Sequence, residues 1–334
     1  MISRRRGPPA GRAAAELEFT HPVRSMLRVA IRELRKFAYA TPNRALRTQA
    51  SGSTWRPRLG LALGGGFARG LAHIGVLKVL LENQITIDSV AGTSIGSIVA
   101  AALASGCSVA EMVAVAHKVR WSSFARWTFP RLGFATNERL EAFLAQALPC
   151  RTFEQLKLPL AIVAADLGTG EAVIFREGDL MLPLRASCSF PGLFVPIEYG
   201  GRLLLDGALV NSVPVSALTG VDVVVAVHIR SSGLERRPTS LFEIVGESFR
   251  IAQNLNQTGW RDRCDLAIEP DLRDFRWDDF EHAGELMAAG EVAARRAIPA
   301  LRHLLQQRTA EGISRAQVPR PTAPAPAVRW HPLS

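Results

Sequence analysis

Cysteine is scarce in this chain: it has 4 cysteines in 334 residues, and no two of them form a CxxC pair. That spacing argues against a zinc site and against a disulfide framework, so a reducing compartment is expected. Long apolar runs are also missing, because none reaches the roughly 18 residues that a membrane-spanning helix needs. The N-terminus lacks the continuous apolar core of a signal peptide. These absences predict a cytoplasmic protein.

Positive charge outweighs negative charge most strongly at the N-terminus. The formal net charge is +10, and residues 1–58 hold 13 Lys and Arg against 3 Asp and Glu, whereas the rest of the chain holds 27 of each. Within this arm, Val23–Tyr39 has its apolar residues on one helical face and its basic residues on the other. Such a helix either packs on the domain or docks on an anionic membrane surface, which would make the protein peripheral at the inner membrane. A nucleic-acid partner is disfavoured, because no recognised binding module accompanies the charge.

The order of sequence patterns divides the chain into an arm (1–55), a domain (59–307) and a Pro/Ala-rich tail (309–334) that is expected to be disordered. In the domain, apolar strand-like runs such as LGLAL, LPLAIVAAD and VDVVVAVHI alternate with helix-like segments. This alternation predicts an α/β domain with a mostly parallel sheet that is covered on both faces. Two long helices, at about 241–262 and 279–307, are predicted to close it. The sequence carries no signal of an oligomeric state.

The glycine-rich stretch LGGGFARGLAHIGVL, residues 63–77, lies between a predicted strand and a predicted helix, where it is suited to binding an anion. Gly64 and Gly66 begin the spacing of a dinucleotide-binding loop, but Arg69 occupies the place of its last glycine. The P-loop pattern fails too, because no Lys-Ser/Thr pair follows the glycines. A nucleotide site is therefore disfavoured.

Gly92-Thr93-Ser94-Ile95-Gly96 fits the G-x-S-x-G pattern and lies between a predicted strand and a helix of small residues. This context is typical of a nucleophile elbow, in which a serine occupies a sharp, strained turn. The small flanking residues Gly92 and Gly96 let the strand and the helix approach each other. The pentapeptide alone also fits an ordinary tight turn.

Asp206-Gly207-Ala208 follows the apolar run LLL. Asp-Gly is a strong hairpin signal, and on that basis alone this segment is a turn. A carboxylate at the end of a parallel strand would instead lie at the sheet edge where such folds place their active sites, as Ser94 does.

These motifs, in this order, resemble the patatin-like phospholipase family. The segments His73–Leu77, Ala165-Asp166-Leu167, Arg185-Ala186-Ser187 and Phe190-Pro191-Gly192 also resemble its bacterial branch. The resemblance implies a three-layer α/β/α fold and a serine hydrolase that attacks lipid or lysolipid esters with a Ser94–Asp206 dyad, without a metal or organic cofactor. It implies oxyanion donors at the peptide N–H groups of Gly65, Gly66 and Phe67. Phe67 departs from the family pattern, which usually has glycine there. The resemblance also implies supporting roles for Gly64, Arg69, Gly70, Gly92, Gly96 and Gly207.

Two alternatives stay open. An α/β-hydrolase would add a histidine to the pair, and a triad of Ser94, Asp206 and His282 has the required chain order. A membrane-associated regulator would keep the fold with little turnover, and Phe67 favours it. His73 lies in an apolar helix pattern and is expected to be a packed core histidine. The aromatic segment Trp121–Phe134 is interpreted either as an acyl-chain cap or as core.

Overall fold

The computed structural model describes residues 55–120, 126–127, 135–230, 237, 241–255 and 258–317. The predicted arm before Trp55, with its helix at 23–39, lies outside the described residues, as do residues 318–334 of the predicted tail. The predicted cap Trp121–Phe134 also lies outside them, apart from strand β3 (Arg126–Trp127), which pairs antiparallel with β4 (Ala135–Thr136). The described fold is therefore that of the predicted domain.

A mostly parallel sheet forms the centre of this domain, and the described residues give it 8 strands. Its parallel strands are β1 (Leu59–Leu63), β2 (Ser89–Thr93), β5 (Leu160–Asp166), β9 (Val223–Val227) and β10 (Leu266–Ile268). Strands β6 (Ala172–Phe175) and β8 (Arg202–Asp206) pair antiparallel with β5, and β7 (Ile197–Tyr199) pairs antiparallel with β8. The predicted mostly parallel sheet is thus confirmed.

The central strands read as continuous apolar runs because they are covered on both faces. In β1, the side chains of Leu59, Leu61 and Leu63 enter the main core, whereas Ala62 points into a smaller cluster with Trp260. The same alternation places Val225 of β9 in the main core and Ala226 in the smaller cluster. In these two strands, the main core therefore receives leucine and valine side chains, and the smaller cluster receives the two alanines.

Helices cover both faces and complete a three-layer α/β/α fold, as predicted. They are α1 (Ala72–Glu82), α2 (Ile95–Ala104), α3 (Val109–Ala116), α4 (Glu138–Ala147), α5 (Met181–Ser187), α6 (Leu241–Leu255), α7 (Thr258–Arg261) and α8 (Ala283–Gln317). Helices α1 and α8 approach so closely that a Cβ on Gly75 would lie 1.9 Å from the carbonyl oxygen of Met287. In the described part of the chain, no helix is both long and apolar enough to cross a membrane.

The predicted boundary at the C-terminus is wrong. Helix α8 continues to Gln317, past the expected end at residue 307 and into the expected tail. Arg308 pairs with Asp265 at 2.9 Å and with Glu311 at 3.2 Å, which ties the extension to the domain and to its own next turn. Pro299 lies inside α8 without ending it, and the next proline, Pro319, follows the last helical residue.

Strands β2 and β8 lie end to end along one edge of β5. Strand β6 occupies one edge of β5 at residues 162–165. Strand β2 pairs with residues 160–163 of β5 and β8 with residues 164–166, so both lie along the opposite edge. Thr93 at the end of β2 lies opposite Val163, and Asp206 at the end of β8 lies opposite Ala164. The prediction that Asp206 ends a parallel strand is therefore wrong: β8 is antiparallel to β5, and its end meets that of β2.

Candidate active site

Ser94 occupies the turn between β2 and α2 with φ 54° and ψ −131°. A non-glycine residue at positive φ is strained by about 1–3 kcal/mol, which is typical of functional turns. The turn is so tight that a Cβ on Gly92 would lie 2.4 Å from the Cα of Ser97, and one on Gly96 would lie 2.2 Å from the carbonyl oxygen of Leu63. The two glycines are needed for this reason, as the G-x-S-x-G pattern predicts.

Two other serines hold the backbone of Ser94 in this conformation. The N–H of Ser94 donates to Oγ of Ser187 at 2.8 Å, and that hydroxyl donates to the carbonyl of Val163 at 2.7 Å. The hydroxyl of Ser97 donates to the carbonyl of Ser94 at 2.6 Å. Sequence reasoning gave no role to Ser187, although it lies in the Arg185-Ala186-Ser187 segment that resembles the family.

Ser94 and Asp206 are in direct contact. Oγ of Ser94 donates to Oδ2 of Asp206 at 2.7 Å, and the N–H of Ala208 donates to Oδ1 at 2.9 Å. Burial raises the pKa of Asp206 to about 7, although both hydrogen bonds oppose this shift. A carboxyl group that is partly ionised near neutrality is suited to accept a proton from a serine.

The glycine loop crosses the ends of β1 and β9. The N–H of Gly64 donates to the carbonyl of Val227 at 3.0 Å, and the N–H of Gly65 donates to the carbonyl of Ser212 at 3.1 Å. The prediction that Gly65 is an oxyanion donor is therefore corrected, because its N–H is already engaged. Gly66 and Phe67 donate their N–H groups to no acceptor among the described residues.

Phe67 adopts a left-handed conformation, with φ 50°. Glycine is the residue that most readily adopts such a φ, and the family pattern has glycine at this position. The ring of Phe67 makes edge contacts with Phe190 and with Trp277, each at 5.0 Å between ring centroids. Aromatic pairs contribute about 0.5–1.5 kcal/mol each beyond their buried area, which is enough to offset the backbone strain.

The remaining loop glycines make room for close neighbours. A Cβ on Gly65 would lie 3.4 Å from the Cβ of Ser94, so the loop passes directly beside the nucleophile. A Cβ on Gly66 would lie 2.5 Å from Cγ2 of Ile229, and one on Gly70 would lie 2.1 Å from Cγ2 of Ile95. A side chain at Gly66 or Gly70 would have to displace a neighbouring isoleucine, so glycine suits the loop at both positions.

Arg69 and His73 are both buried behind the loop. Burial lowers the pKa of Arg69, an effect that the charge of Glu247 partly offsets. Burial also lowers the pKa of His73 to about 4, so this imidazole is neutral, and its Nε2 donates to the carbonyl of Gly64 at 2.8 Å. His73 is therefore a packed histidine, as predicted, and it also anchors the glycine loop.

The histidine of the alternative triad, His282, has another partner, and so does the buried His228. His282 is exposed and contacts Asp279. Nδ1 of His228 lies 2.8 Å from Oε1 of Glu269, and its ring packs on Trp260. Since Ser94 contacts Asp206 directly, no imidazole lies between them. Among the described residues, no group of His, Cys, Asp or Glu is arranged to hold a metal ion.

An apolar pocket opens at Ser94 and contains about 1090 Å³ of empty space, including its open mouth. Helices α2, α3 and α4 supply most of its described lining, which is apolar apart from Ser94, Glu111 and the thiols of Cys107 and Cys188. Burial raises the pKa of Cys188, so this thiol stays protonated and adds no charge beside Asp206. Sequence reasoning did not predict this pocket, because its walls come from separate helix faces.

Comparison with known proteins gives a consistent result. The family model described as patatin-like phospholipase matches residues 61–219, which include the glycine loop, the elbow and Asp206. An uncharacterised NTE family protein of Mycobacterium tuberculosis is 36% identical over 197 residues, covering 58% of this chain and 54% of that protein. Lysophospholipase NTE1 of Pyricularia oryzae is 32% identical over 181 residues, covering 52% of this chain and 12% of that protein.

The chain thus spans about half the length of the mycobacterial relative. Among solved structures, VipD from Legionella pneumophila is similar, with a TM-score of 0.46 and 12% identity over 73% of this chain and 67% of that chain. The three motifs, their assembly around Ser94 and the match of the family model agree. Residues 61–219 form a domain that belongs to the patatin-like phospholipase family.

Proposed function

We propose that this protein is a serine acyl-ester hydrolase of lipids, of the phospholipase A, lysophospholipase or carboxylesterase type. The observation that carries the proposal is the 2.7 Å hydrogen bond from Ser94 to the buried carboxyl group of Asp206. A fungal relative named lysophospholipase supports this substrate class.

In the proposed mechanism, Oγ of Ser94 attacks the ester carbonyl while ionised Asp206 accepts its proton. The proton then passes to the leaving alcohol as the acyl-enzyme forms. Water attacks the acyl-enzyme next, Asp206 again accepts a proton, and Ser94 is regenerated. Because its pKa is raised to about 7, Asp206 is a stronger base than an exposed aspartate.

The N–H groups of Gly66 and Phe67 are the proposed oxyanion donors. They donate to no acceptor among the described residues, and the adjacent Gly65 lies beside Ser94. Removal of one such donor typically costs about 3 kcal/mol in the transition state. Phe67 adopts a left-handed backbone that glycine readily takes, which supports a working loop over the alternative of a regulator with little turnover.

The experiment combines a fluorophosphonate probe with ester hydrolysis. Wild-type protein should be labelled at Ser94 and should hydrolyse nitrophenyl esters and a lysophospholipid, whereas Ser94→Ala should be neither labelled nor active. Ser105→Ala, at the opposite end of α2, is a control for loss of a buried hydroxyl away from the nucleophile. Labelling of another residue, or full turnover by Ser94→Ala, would remove Ser94 from the mechanism. A folded protein without labelling or turnover would favour the regulator.

We also propose that Val23–Tyr39 docks on anionic membranes. Each basic residue close to such a surface contributes about 1 kcal/mol, and the attraction weakens with salt. Deletion of residues 1–53 should reduce co-sedimentation with anionic vesicles but spare hydrolysis of a soluble ester. If that hydrolysis collapses in a folded variant, the arm is part of the domain instead.

A further inference from the structure

The helices that line the apolar pocket show in which direction it extends from Ser94. Helix α2 begins directly after Ser94 and contributes Ile95, Ile98 and Ala102, whose spacing places them on one helical face. These side chains therefore form a wall that starts at the nucleophile and follows α2 away from it.

Helix α4 forms a second wall with the same direction. Its lining residues Leu140, Phe143 and Ala147 also share one face. The start of this helix is fixed beside the site, because Nδ2 of Asn137 donates to Oγ of Ser189 at 3.0 Å, and the carbonyl of Ser189 accepts the N–H of Asp206 at 2.9 Å. A chain that enters at Ser94 thus runs between two helices that both lead away from it.

The far end of the pocket is polar. Cys107 and Glu111 line it there, just beyond the end of α2. Oε2 of Glu111 accepts hydrogen bonds from the N–H and from Oγ of Ser108, both at 2.8 Å, in a capping box that starts α3. Glu111 is the one carboxylate in the described lining, and it marks the place where the apolar wall stops.

We propose that this pocket selects an acyl chain of medium length and that Ala102 and Glu111 set the upper limit of chain length. This inference rests on the proposed function. With a rise of about 1.5 Å per residue, Ser94 and Ala102 lie about 12 Å apart along α2, which accommodates an extended chain of about ten carbons. A longer chain would bring methylene groups against the hydrated carboxylate of Glu111, which opposes binding.

The test measures kcat/KM for nitrophenyl butyrate, octanoate, decanoate and palmitate. Each methylene that enters an apolar pocket should raise kcat/KM about fourfold, so values should climb to decanoate and then fall for palmitate. Ala102→Leu should lower the decanoate-to-butyrate ratio about sixteenfold, since its side chain takes the place of about two methylenes. Ala142→Leu is the matched control, because Ala142 is exposed on α4 and outside the pocket.

Glu111→Gln removes the charge but keeps the capping box, so it should raise the palmitate-to-decanoate ratio. A second measurement needs no turnover: in folded Ser94→Ala protein, decanoic acid should displace a fluorescent fatty acid more strongly than palmitic acid does. Equal displacement, or a rate that rises steadily to palmitate, would overturn the length limit while leaving ester hydrolysis intact. If decanoic acid displaces the fluorescent fatty acid more strongly than palmitic acid does, but the wild type hydrolyses no ester, the proposed function is refuted and the length limit stands.

Discussion

The nucleophile elbow and the glycine loop both contain a non-glycine residue at positive φ, Ser94 at 54° and Phe67 at 50°, but they hold it in different ways. At the elbow, close backbone packing around Gly92 and Gly96 and short hydrogen bonds hold the conformation. In the loop, the Phe67 side chain holds it, through contacts with Phe190 and Trp277.

This difference shows that the same backbone strain can be stabilised by backbone packing and hydrogen bonds or by contacts of the strained residue's own side chain. The elbow needs small residues within one pentapeptide, whereas the loop needs aromatic partners far along the chain. Substitutions at the elbow or at Asp206 should therefore change the rate of the chemical step. Substitutions in the glycine loop should also change the backbone conformation of that loop.

The largest effect is expected at the carboxylate that faces the elbow. Asp206→Asn keeps the shape but removes the proton acceptor, so turnover of a short nitrophenyl ester should fall by about a thousandfold or more. Single-turnover acylation in folded protein measures it. A fall of less than about tenfold would show that another group takes the serine proton.

A loop variant should lose less. Phe67→Ala removes both aromatic contacts and keeps the strained φ, so kcat for a short ester should fall about tenfold, less than the loss of a whole donor. Phe67→Gly also loses the ring but adopts positive φ freely, and it should therefore melt at a higher temperature than Phe67→Ala. If residue 67 had a right-handed backbone, Phe67→Ala would melt at the higher temperature. Calorimetry of the two variants therefore tests the left-handed backbone.

The sequence predicted the elbow because its requirements are local: Gly92 and Gly96 are visible beside Ser94. It could not show that the Gly65 N–H is engaged by Ser212, or that Phe67 is supported by Trp277, because these contacts join distant segments. The apolar runs predicted the parallel strands, but an apolar run has no direction, and β8 proved antiparallel. The end of α8 was missed because its support, Asp265, lies outside the helix.

A smaller effect is expected on stability. Burial raises the pKa of Asp206 from about 4 to about 7, so between these values the folded state binds a proton that the unfolded state has released. Wild-type stability should therefore fall as pH rises through this window, whereas Asp206→Asn escapes this loss. The melting temperature of the variant minus that of the wild type should increase from pH 4 to pH 7, and a difference independent of pH would contradict the raised pKa.

The smallest effect is expected away from both regions. His282 is exposed and lies with Asp279, so His282→Ala should leave acylation within about twofold of the wild type, since exposed sites rarely affect packing. A loss comparable to that of Asp206→Asn would overturn the dyad and establish the triad of Ser94, Asp206 and His282. Stopped-flow acylation with the same ester compares the two variants directly.

The end-to-end arrangement of β2 and β8 has a consequence for how the protein loses activity. Ser94 and Asp206 reach each other from opposite directions, and both depend on pairing with β5. Slippage or fraying of either strand would separate the two residues while most helices persist. Hydrolysis should therefore respond to local unfolding of this edge before circular dichroism detects any loss of structure, which makes turnover a sensitive probe of cooperativity within the sheet.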